Sequence, residues 1–583
     1  MSKSTKPQTL RGISASPGFA HGPAFLWQET EMVIPRRPVA DAGAELARLA
    51  AARSAARQEI EQIIREFSAT LGKGETAIFE AHLMFLDDAA LLKRVEAAIQ
   101  QGINVEPAWA DGIAHFAAQL QAIPDPTLSA RAADVRDVGQ RVLRKMLGVE
   151  ESPVRSLTHP AVIVARDLTP SQTVSLKRDL VLGFCTAEGG PTSHTTILAR
   201  ALGVPAVVGL GEPVLTVTAS TPLLVNGHKG EVTIHPSEKS IRIASQEEQK
   251  AARQSQTERE AAAAPAVTRD GHPVKVAANV GGLEEARQAV RSGAEGIGLL
   301  RTEFLYLDRN TAPDETEQTQ AYSAILEAMG GRPVIARTLD VGGDKMLPYL
   351  HLDREANPFL GCRAIRLCLE RPALFKTQLR ALLRAGVDHS LSIMFPMIAT
   401  LEEIQSARAL LEEARDEARQ SGHAVADTLP VGMMVEVPSV VIMAEQFARH
   451  VDFFSIGTND LTQYTLAAER TNAKVAHLGD ACHPAVLRQI QKVVEAGHAA
   501  GIWVGVCGEL AADPEVVPIL LGLGVDELSM TPNAIPQAKA IIRRWTFTEA
   551  QSIASQALAL GSAADVRAMM KIKISAGKNN PAI

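Results

Sequence analysis

Residues 430–460 read PVGMMVEVPSVVIMAEQFARHVDFFSIGTND. Two apolar runs, PVGMMVEV and DFFSIGTN, have the length of buried strands, and a helical segment separates them. The same alternation begins near residue 265 and continues almost to the end of the chain. Its other runs are VKVAANV (from 274), GIGLLR (296), PVIART (333), LSIMFPM (391), IWVGVCGE (502) and VDELSM (525). Amphipathic segments such as LEEIQSARALLEEARDEARQ and AVLRQIQKVVEAGHAAG lie between them. Eight strands alternating with helices over about 300 residues predict a (β/α)8 barrel over 265–575. A doubly wound sheet is the competitor and fits the count and length less well.

In such barrels reactive groups sit at the carboxyl ends of the strands. Here those ends are polar. The second run ends in Arg301 and the third in Arg337. The fifth carries Glu436, and the sixth Asn459 and Asp460, with Arg470 ten residues on. The seventh carries Cys507 and Glu509. Arginine forks recognise carboxylate and phosphate, and one or two carboxylates with substrate oxygens suit Mg2+. Each residue alone has an ordinary explanation as a surface ion pair, a helix cap or a small core side chain. Together they predict a site for a small phosphorylated carboxylic acid held through a metal.

The first part of the chain has a different texture. RGISASPGFAHGPAF reads as short strands and turns, residues 31–149 as an all-helical block, and 150–235 as strands and turns again. The helical block is therefore inserted into an α/β domain made of 1–30 and 150–235. Residues 236–264, rich in Ala, Gln, Glu and Arg, read as a solvated helical linker. Inside the α/β domain stands AEGGPTSHTTILARALGVPAVVG (187–209). His194 there follows a glycine turn and is surrounded by Thr192, Ser193, Thr195 and Thr196, ahead of a helical ILARALG. Metal ligand, general base, core residue and modified histidine all remain open on these residues alone. Hydroxyls and backbone N–H groups at a helix start do suit phosphate oxygens.

Of the 583 residues, 46% are hydrophobic and 21% charged, as in ordinary globular proteins. A formal charge of -7 offers no footprint for nucleic acid or a polybasic membrane contact. No apolar run is long enough to span a bilayer, and the polar start lacks a secretory core. Five scattered cysteines (Cys185, Cys362, Cys368, Cys482 and Cys507) predict reduced thiols in a cytoplasmic protein.

The motifs GGPTSHTTILAR, GIGLLRTEFLYLDR, RTLDVGGDK, NPFLGCRAIR, GMMVEVPS, FFSIGTNDLTQY, HPAVL and VGVCGELAAD occur in this order. The chain resembles, over about 10–570, the enzyme I family of the bacterial phosphoenolpyruvate-dependent sugar phosphotransferase system. The resemblance implies a swivelling phosphohistidine domain in which His194 takes the phosphoryl group from phosphoenolpyruvate on Nε2. It implies that Arg301, Arg337, Arg470 and Asn459 bind the substrate, that Glu436 and Asp460 hold Mg2+, and that Asp460 also lines the substrate site. Cys507 matches the acid that protonates the enolate carbon to give pyruvate. Arg363 and Lys345 lie in matching motifs and line the site, and Thr169 matches a position that sets the histidine tautomer. The helical insert matches the docking domain for the carrier protein HPr, with ETAIFEAHLMFLDDAALL as its surface. Phe79, Leu83, Met84 and Phe85 are the apolar candidates there, and Glu75, Glu80, Asp87 and Asp88 the acidic ones. A homodimer through the barrel is implied, with the hinge for the swivel near 232–265.

Three departures stand out. Pro191 replaces an arginine common in the family, Cys362 replaces an aromatic, and AAERTN precedes and includes Arg470 in an atypical form. Related enzymes that add an ATP-binding domain are disfavoured, because no nucleotide loop occurs. A non-catalytic relay would lack some barrel-mouth residues, and all are present. A segment of a larger fusion or regulatory paralogue with the same chemistry is the alternative.

Overall fold

The structure is a computed structural model. It describes residues 7–27, 32–67, 73–122, 126–149, 157–169, 176, 178–190, 193–307, 309–343, 347, 349–350, 355–470, 472 and 474–578. The chain divides into two compact units, Met1–Ala251 and Ala252–Ile583.

The first unit holds an eight-stranded sheet. Its strands are β1 (Gln8–Arg11), β2 (Ile13–Ser16), β3 (Phe19–Leu26), β4 (Ala161–Ala165), β5 (Val181–Thr186), β6 (Ala206–Val208), β7 (Pro222–Asn226) and β8 (Glu231–Ile234). The spatial order is β1-β8-β7-β3-β4-β5-β6-β2. Strands β3 and β4 are parallel neighbours, Ala24 opposite Val162, although well over a hundred residues separate them in sequence. Parallel neighbours need a long crossover. Here it consists of α1 (Ala42–Phe67), α2 (Lys73–Leu86), α3 (Ala89–Gln100), α4 (Val105–Gln121) and α5 (Pro126–Leu147). Leu49, Ala52, Ala56 and Ile60 of α1 are buried, as are Ala132, Val135, Val138 and Val142 of α5. Their spacing of three and four residues puts each set on one helix face. The core closes on Trp109 of α4, whose Nε1 donates to the Gly139 carbonyl at 3.0 Å.

The segment read as a solvated linker is a helix, Glu238–Glu260, in which Ala244 is the buried residue. The division between the units falls within it.

The second unit is a closed parallel barrel of β9 (Lys275–Val280), β10 (Ile297–Arg301), β11 (Val334–Arg337), β12 (Leu391–Phe395), β13 (Val431–Val435), β14 (Phe453–Ile456), β15 (Trp503–Val506) and β16 (Glu527–Met530). Strand β16 pairs with β9, Glu527 opposite Lys275, and closes the ring. All eight apolar runs are strands, and every residue of β13 is buried, as expected for strands covered on both faces. The helix Leu401–Gln420 shows why the intervening segments are helical. Thr400 and Glu403 form a capping box, and Ile404, Ala407, Leu411, Ala414 and Ala418 bury one stripe. Inside the barrel, Phe453 and Trp503 stack at 4.7 Å. With Leu299, Ile335, Met394, Met434 and Cys507 they form an apolar plug.

Glu527 opens β16 and is buried. Burial pushes its carboxyl up from 4.5 to about 7, and nearby Lys275 only partly offsets this. The folded barrel therefore holds this proton more tightly than the unfolded chain does. The resulting stability is complete below the unfolded value near 4.5 and is lost as pH rises through about 7, roughly 3 kcal/mol in all. Glu527→Gln should remove this slope and raise stability at pH 8 relative to wild type. Calorimetric melting between pH 4 and 8 checks it; an unchanged pH slope in the variant would rule out Glu527 as its source.

Candidate functional site

A cleft of about 260 Å³ opens at the carboxyl ends of the barrel strands. Its lining includes Arg301, Arg337, Arg363, Arg470, Glu436, Asn459, Asp460 and Cys507. These come from five strand ends or the loops after them, so barrel closure alone brings them together. Arg301 and Arg337 are the last residues of β10 and β11. Glu436 and Cys507 immediately follow β13 and β15. Asn459 and Asp460 lie in the first turn of the helix Thr458–Leu466, which follows β14. Gly457 links that strand to the helix, and a side chain there would put Cβ 2.9 Å from Glu436 Oε2.

Three of the four arginines are held in a network of carboxylates. Arg337 pairs with Glu303 at 2.7 Å and with Asp340 at 2.9 Å. Arg363 pairs with Asp340 at 3.0 Å and with Asp460 at 3.5 Å. Arg470 lies 3.5 Å from Asp460 and is more exposed than Arg337 and Arg363. Both Arg363 and Arg470 approach the Phe359 ring, each at 5.8 Å from its centre, so an aromatic face supports two cations. Asn459 and Glu509 exchange hydrogen bonds. The Asn459 Nδ2 donates to Glu509 Oε1 at 3.3 Å, and the Glu509 N–H donates to Asn459 Oδ1 at 3.2 Å.

The two central carboxylates are buried, Glu436 at 1% and Asp460 at 7% exposure. Burial, and then the charges of Asp460 and Asp340, push the Glu436 carboxyl up to about 8. Glu436 accepts the Met397 N–H at 2.6 Å. Two crowded carboxylates whose repulsion a cation would relieve are a donor set for a divalent metal. Among the described residues, no group of three or more His, Cys, Asp or Glu is placed to hold a metal by itself. The metal chemistry that fits is one in which substrate oxygens complete the coordination.

Cys507 sits on the floor of the cleft. Burial pushes its thiol up to about 11, against the opposing pull of a hydrogen bond with Ser455 and of Arg337 and Arg301. Its Sγ–H donates to the Ile456 carbonyl at 3.6 Å. The group is a protonated thiol throughout the neutral range.

His194 lies in the other unit. It opens the helix His194–Leu202, so the helix begins three residues before ILARALG and includes the histidine itself. Its side chain lies outside what the structure describes, as do Pro191, Thr192 and Lys345. The surrounding turn is well tied. Ser193 is the N-cap, and its Oγ accepts the Thr196 N–H at 3.4 Å. Thr196 Oγ1 donates to the Gly190 carbonyl at 2.8 Å, and Thr195 Oγ1 to Asp167 Oδ1 at 3.1 Å.

Sequence reasoning passed over Glu303 and Asp340. Both stand inside motifs quoted above, GIGLLRTEF and RTLDVGGDK. The signal was there, a carboxylate two or three residues after a strand-end arginine, but its pairing needs the fold. In α2, Phe79 is buried while Leu83 and Phe85 pack against the helical core. Met84 is 77% exposed. Asp87 pairs with Arg53 and Arg57, Asp88 caps α3, Glu80 is exposed, and the Glu75 side chain lies outside the described atoms.

Comparison with known proteins bears on the whole chain. Residues 11–131 match the N-terminal domain of PEP-utilising enzymes, 157–230 their mobile domain and 255–547 their PEP-binding domain. The phosphoenolpyruvate-protein phosphotransferase of Geobacillus stearothermophilus is 47% identical over 98% of this chain and 99% of its own length. That of Bacillus subtilis is 43% identical over 97% and 99%. A multiphosphoryl transfer protein of Rhodobacter capsulatus is 46% identical over 96% of this chain and 67% of its own length. With this identity along nearly its full length, and a cleft of the expected composition at the barrel mouth, the chain belongs to the phosphoenolpyruvate-protein phosphotransferases, the enzyme I family.

Proposed function

We propose that this chain moves the phosphoryl group of phosphoenolpyruvate to Nε2 of His194 and then to a histidine of the carrier protein HPr, releasing pyruvate. This is the first step of sugar uptake by the phosphotransferase system. The observation that carries the reading is the cleft itself. It gathers four arginines, three buried carboxylates (Asp340, Glu436 and Asp460) and a protonated thiol, yet no histidine is among the described residues that line it. A phosphoryl donor site without its own nucleophile needs one brought to it, and His194 of the mobile domain fills that need.

Arg301, Arg337, Arg363 and Arg470, with Asn459, bind the phosphate and carboxylate of the substrate; Asp460 lines the substrate site beside them, and Lys345 completes the set. Glu436 and Asp460 hold Mg2+. When bound, Mg2+ supplies neutralisation of the phosphate charge. The neutral imidazole attacks phosphorus, the N–P bond forms, and the P–O bond to the enolate oxygen breaks. The enolate electrons close the ketone while C3 takes the Sγ proton of Cys507, giving pyruvate and a thiolate that regains its proton from solvent. A thiol titrating near 11 is neutral when its proton is needed. The apolar plug beneath it keeps water from the floor of the cleft. The helix Glu238–Glu260 and its flanks provide the hinge that lets His194 serve donor and acceptor in turn. Among the described residues, no helix is long and apolar enough to cross a membrane. A cytoplasmic homodimer joined through the barrels completes the reading.

Labelled phosphoenolpyruvate with Mg2+ should give wild-type protein an acid-labile, base-stable label, and His194→Ala should take none. Label retained by the variant would place the acceptor elsewhere. Cys507→Ala should slow pyruvate formation by about 100-fold, the usual weight of a general acid; unchanged turnover would remove Cys507 as proton donor. For the carrier, we expect HPr to dock on α2 around Met84. Met84→Asp should raise the KM for HPr about tenfold, as loss of an exposed apolar anchor does. Labelling of His194 by phosphoenolpyruvate should be unaffected, and an unchanged KM would place the dock on another face.

A further inference from the structure

We propose that Asp340 is a positioning residue for the substrate clamp, locking Arg337 and Arg363 into one preformed pair of cations facing the cleft. The inference rests on the phosphoenolpyruvate reading above and adds a residue to it. Asp340 is 4% exposed and engages both guanidiniums at once, Oδ2 with Arg337 at 2.9 Å and Oδ1 with Arg363 at 3.0 Å. Its second contact to Arg363, through Oδ2, is 3.3 Å. Arg337 ends β11, and Arg363 stands at the far end of the connection that follows it, just ahead of the helix Ile365–Glu370. One carboxylate therefore fixes the spacing between two substrate-facing cations.

The backbone around Asp340 is shaped for this contact. Gly342 adopts φ +107°, and a Cβ there would stand 2.6 Å from Arg363 Cβ and 2.9 Å from its Cα. Only glycine lets the two ends of this connection approach so closely. On the other side, Ala364 takes φ 52° and ψ −124°, a strained conformation for a residue with a side chain. Its N–H donates to the Val341 carbonyl at 3.0 Å. The two ends of the connection are thus joined by a backbone hydrogen bond and by a shared ion pair. Beneath them, Gln378 accepts the Leu339 N–H at 2.9 Å and donates to Thr302 Oγ1 at 2.9 Å, and Thr302 donates to the Arg337 carbonyl at 2.7 Å. The polar chain runs from the loop carrying Asp340 to the end of the strand carrying Arg337. Arginine side chains are long and flexible, and holding two of them in register before substrate arrives removes an ordering cost from binding.

The test measures single-turnover labelling of His194 in the full-length protein with Mg2+ at varied phosphoenolpyruvate. Asp340→Asn keeps shape and removes charge. We expect its half-saturating phosphoenolpyruvate to rise about tenfold or more, because it breaks buried charge-assisted contacts to two arginines. Asp340→Glu should recover part of the affinity. The melting temperature of the Asn variant should fall with the broken buried pairs, so the deciding readout is the half-saturation of the folded fraction, which a loss of stability alone does not move. A residue that only supports the fold would lower the active fraction and the melting temperature and leave half-saturation unmoved, and that result overturns the proposal. If Asp340→Asn does not fold, Gly342→Ala decides. It pushes the same loop off Arg363, so a similar rise in half-saturation supports the proposal and a wild-type value overturns it. Wild-type protein that takes no label would instead sink the phosphoenolpyruvate reading itself.

Discussion

The barrel mouth is organised by one constraint: guanidinium and carboxylate groups placed out of water must be paired. Arg337 lies between Glu303 and Asp340, with all three nearly inaccessible to solvent. Leaving any one of these charges alone in such a place would cost several kcal/mol, about 3–5 for a broken buried pair. The pairing therefore dictates where the loops after β10 and β11 can run. It also explains the tight packing of Gly342 on Arg363 and the strained backbone at Ala364. Arg337, Arg363 and Arg470 are already in place, each facing a carboxylate of the protein.

The same environment separates the tasks of the titratable groups. Burial and neighbouring carboxylates raise Glu436, so a divalent cation would meet a site whose anions repel one another. Burial raises Cys507, which keeps a proton available on the apolar floor. One cause, loss of water, thus raises both the Glu436 carboxyl and the Cys507 thiol. The plug of Phe453, Trp503, Met394 and Met434 maintains that dryness from inside the barrel.

Two of the three departures from the family pattern, Cys362 and the segment carrying Arg470, fall beside this network; Pro191 lies outside the described residues. Cys362 precedes Arg363, and its Sγ–H donates to Glu370 at 3.0 Å while its backbone N–H donates to Glu355 at 2.9 Å. The contacts of Arg363 with Asp340 and Asp460 are made by its own guanidinium, so they do not need an aromatic at 362. Arg470 is held less tightly than Arg337 and Arg363, with Phe359 and Asp460 as neighbours and its backbone N–H on Gln463. Its greater exposure fits an arm at the rim of the cleft.

Much of this was legible in the sequence because periodicity reports local burial. Eight apolar runs became eight strands, since a strand covered on both faces must be apolar along its length. The strand-end polar residues reported the site, since barrel closure brings strand ends together whatever the loops do. Motif order was enough to indicate the family. The pairing of Asp340 and Glu303 with particular arginines was not legible, because it joins loops whose distance depends on register around the closed ring. Nor could the sequence separate Met84 from Phe79, Leu83 and Phe85 in α2, since which of several apolar neighbours stays exposed depends on how α2 packs against the other helices. The sequence alone determined the alternation, the inserted helices and the chemical cast of the cleft. Only the tertiary structure decided which charge faces which, because long side chains in a dry site are positioned by partners distant in the chain.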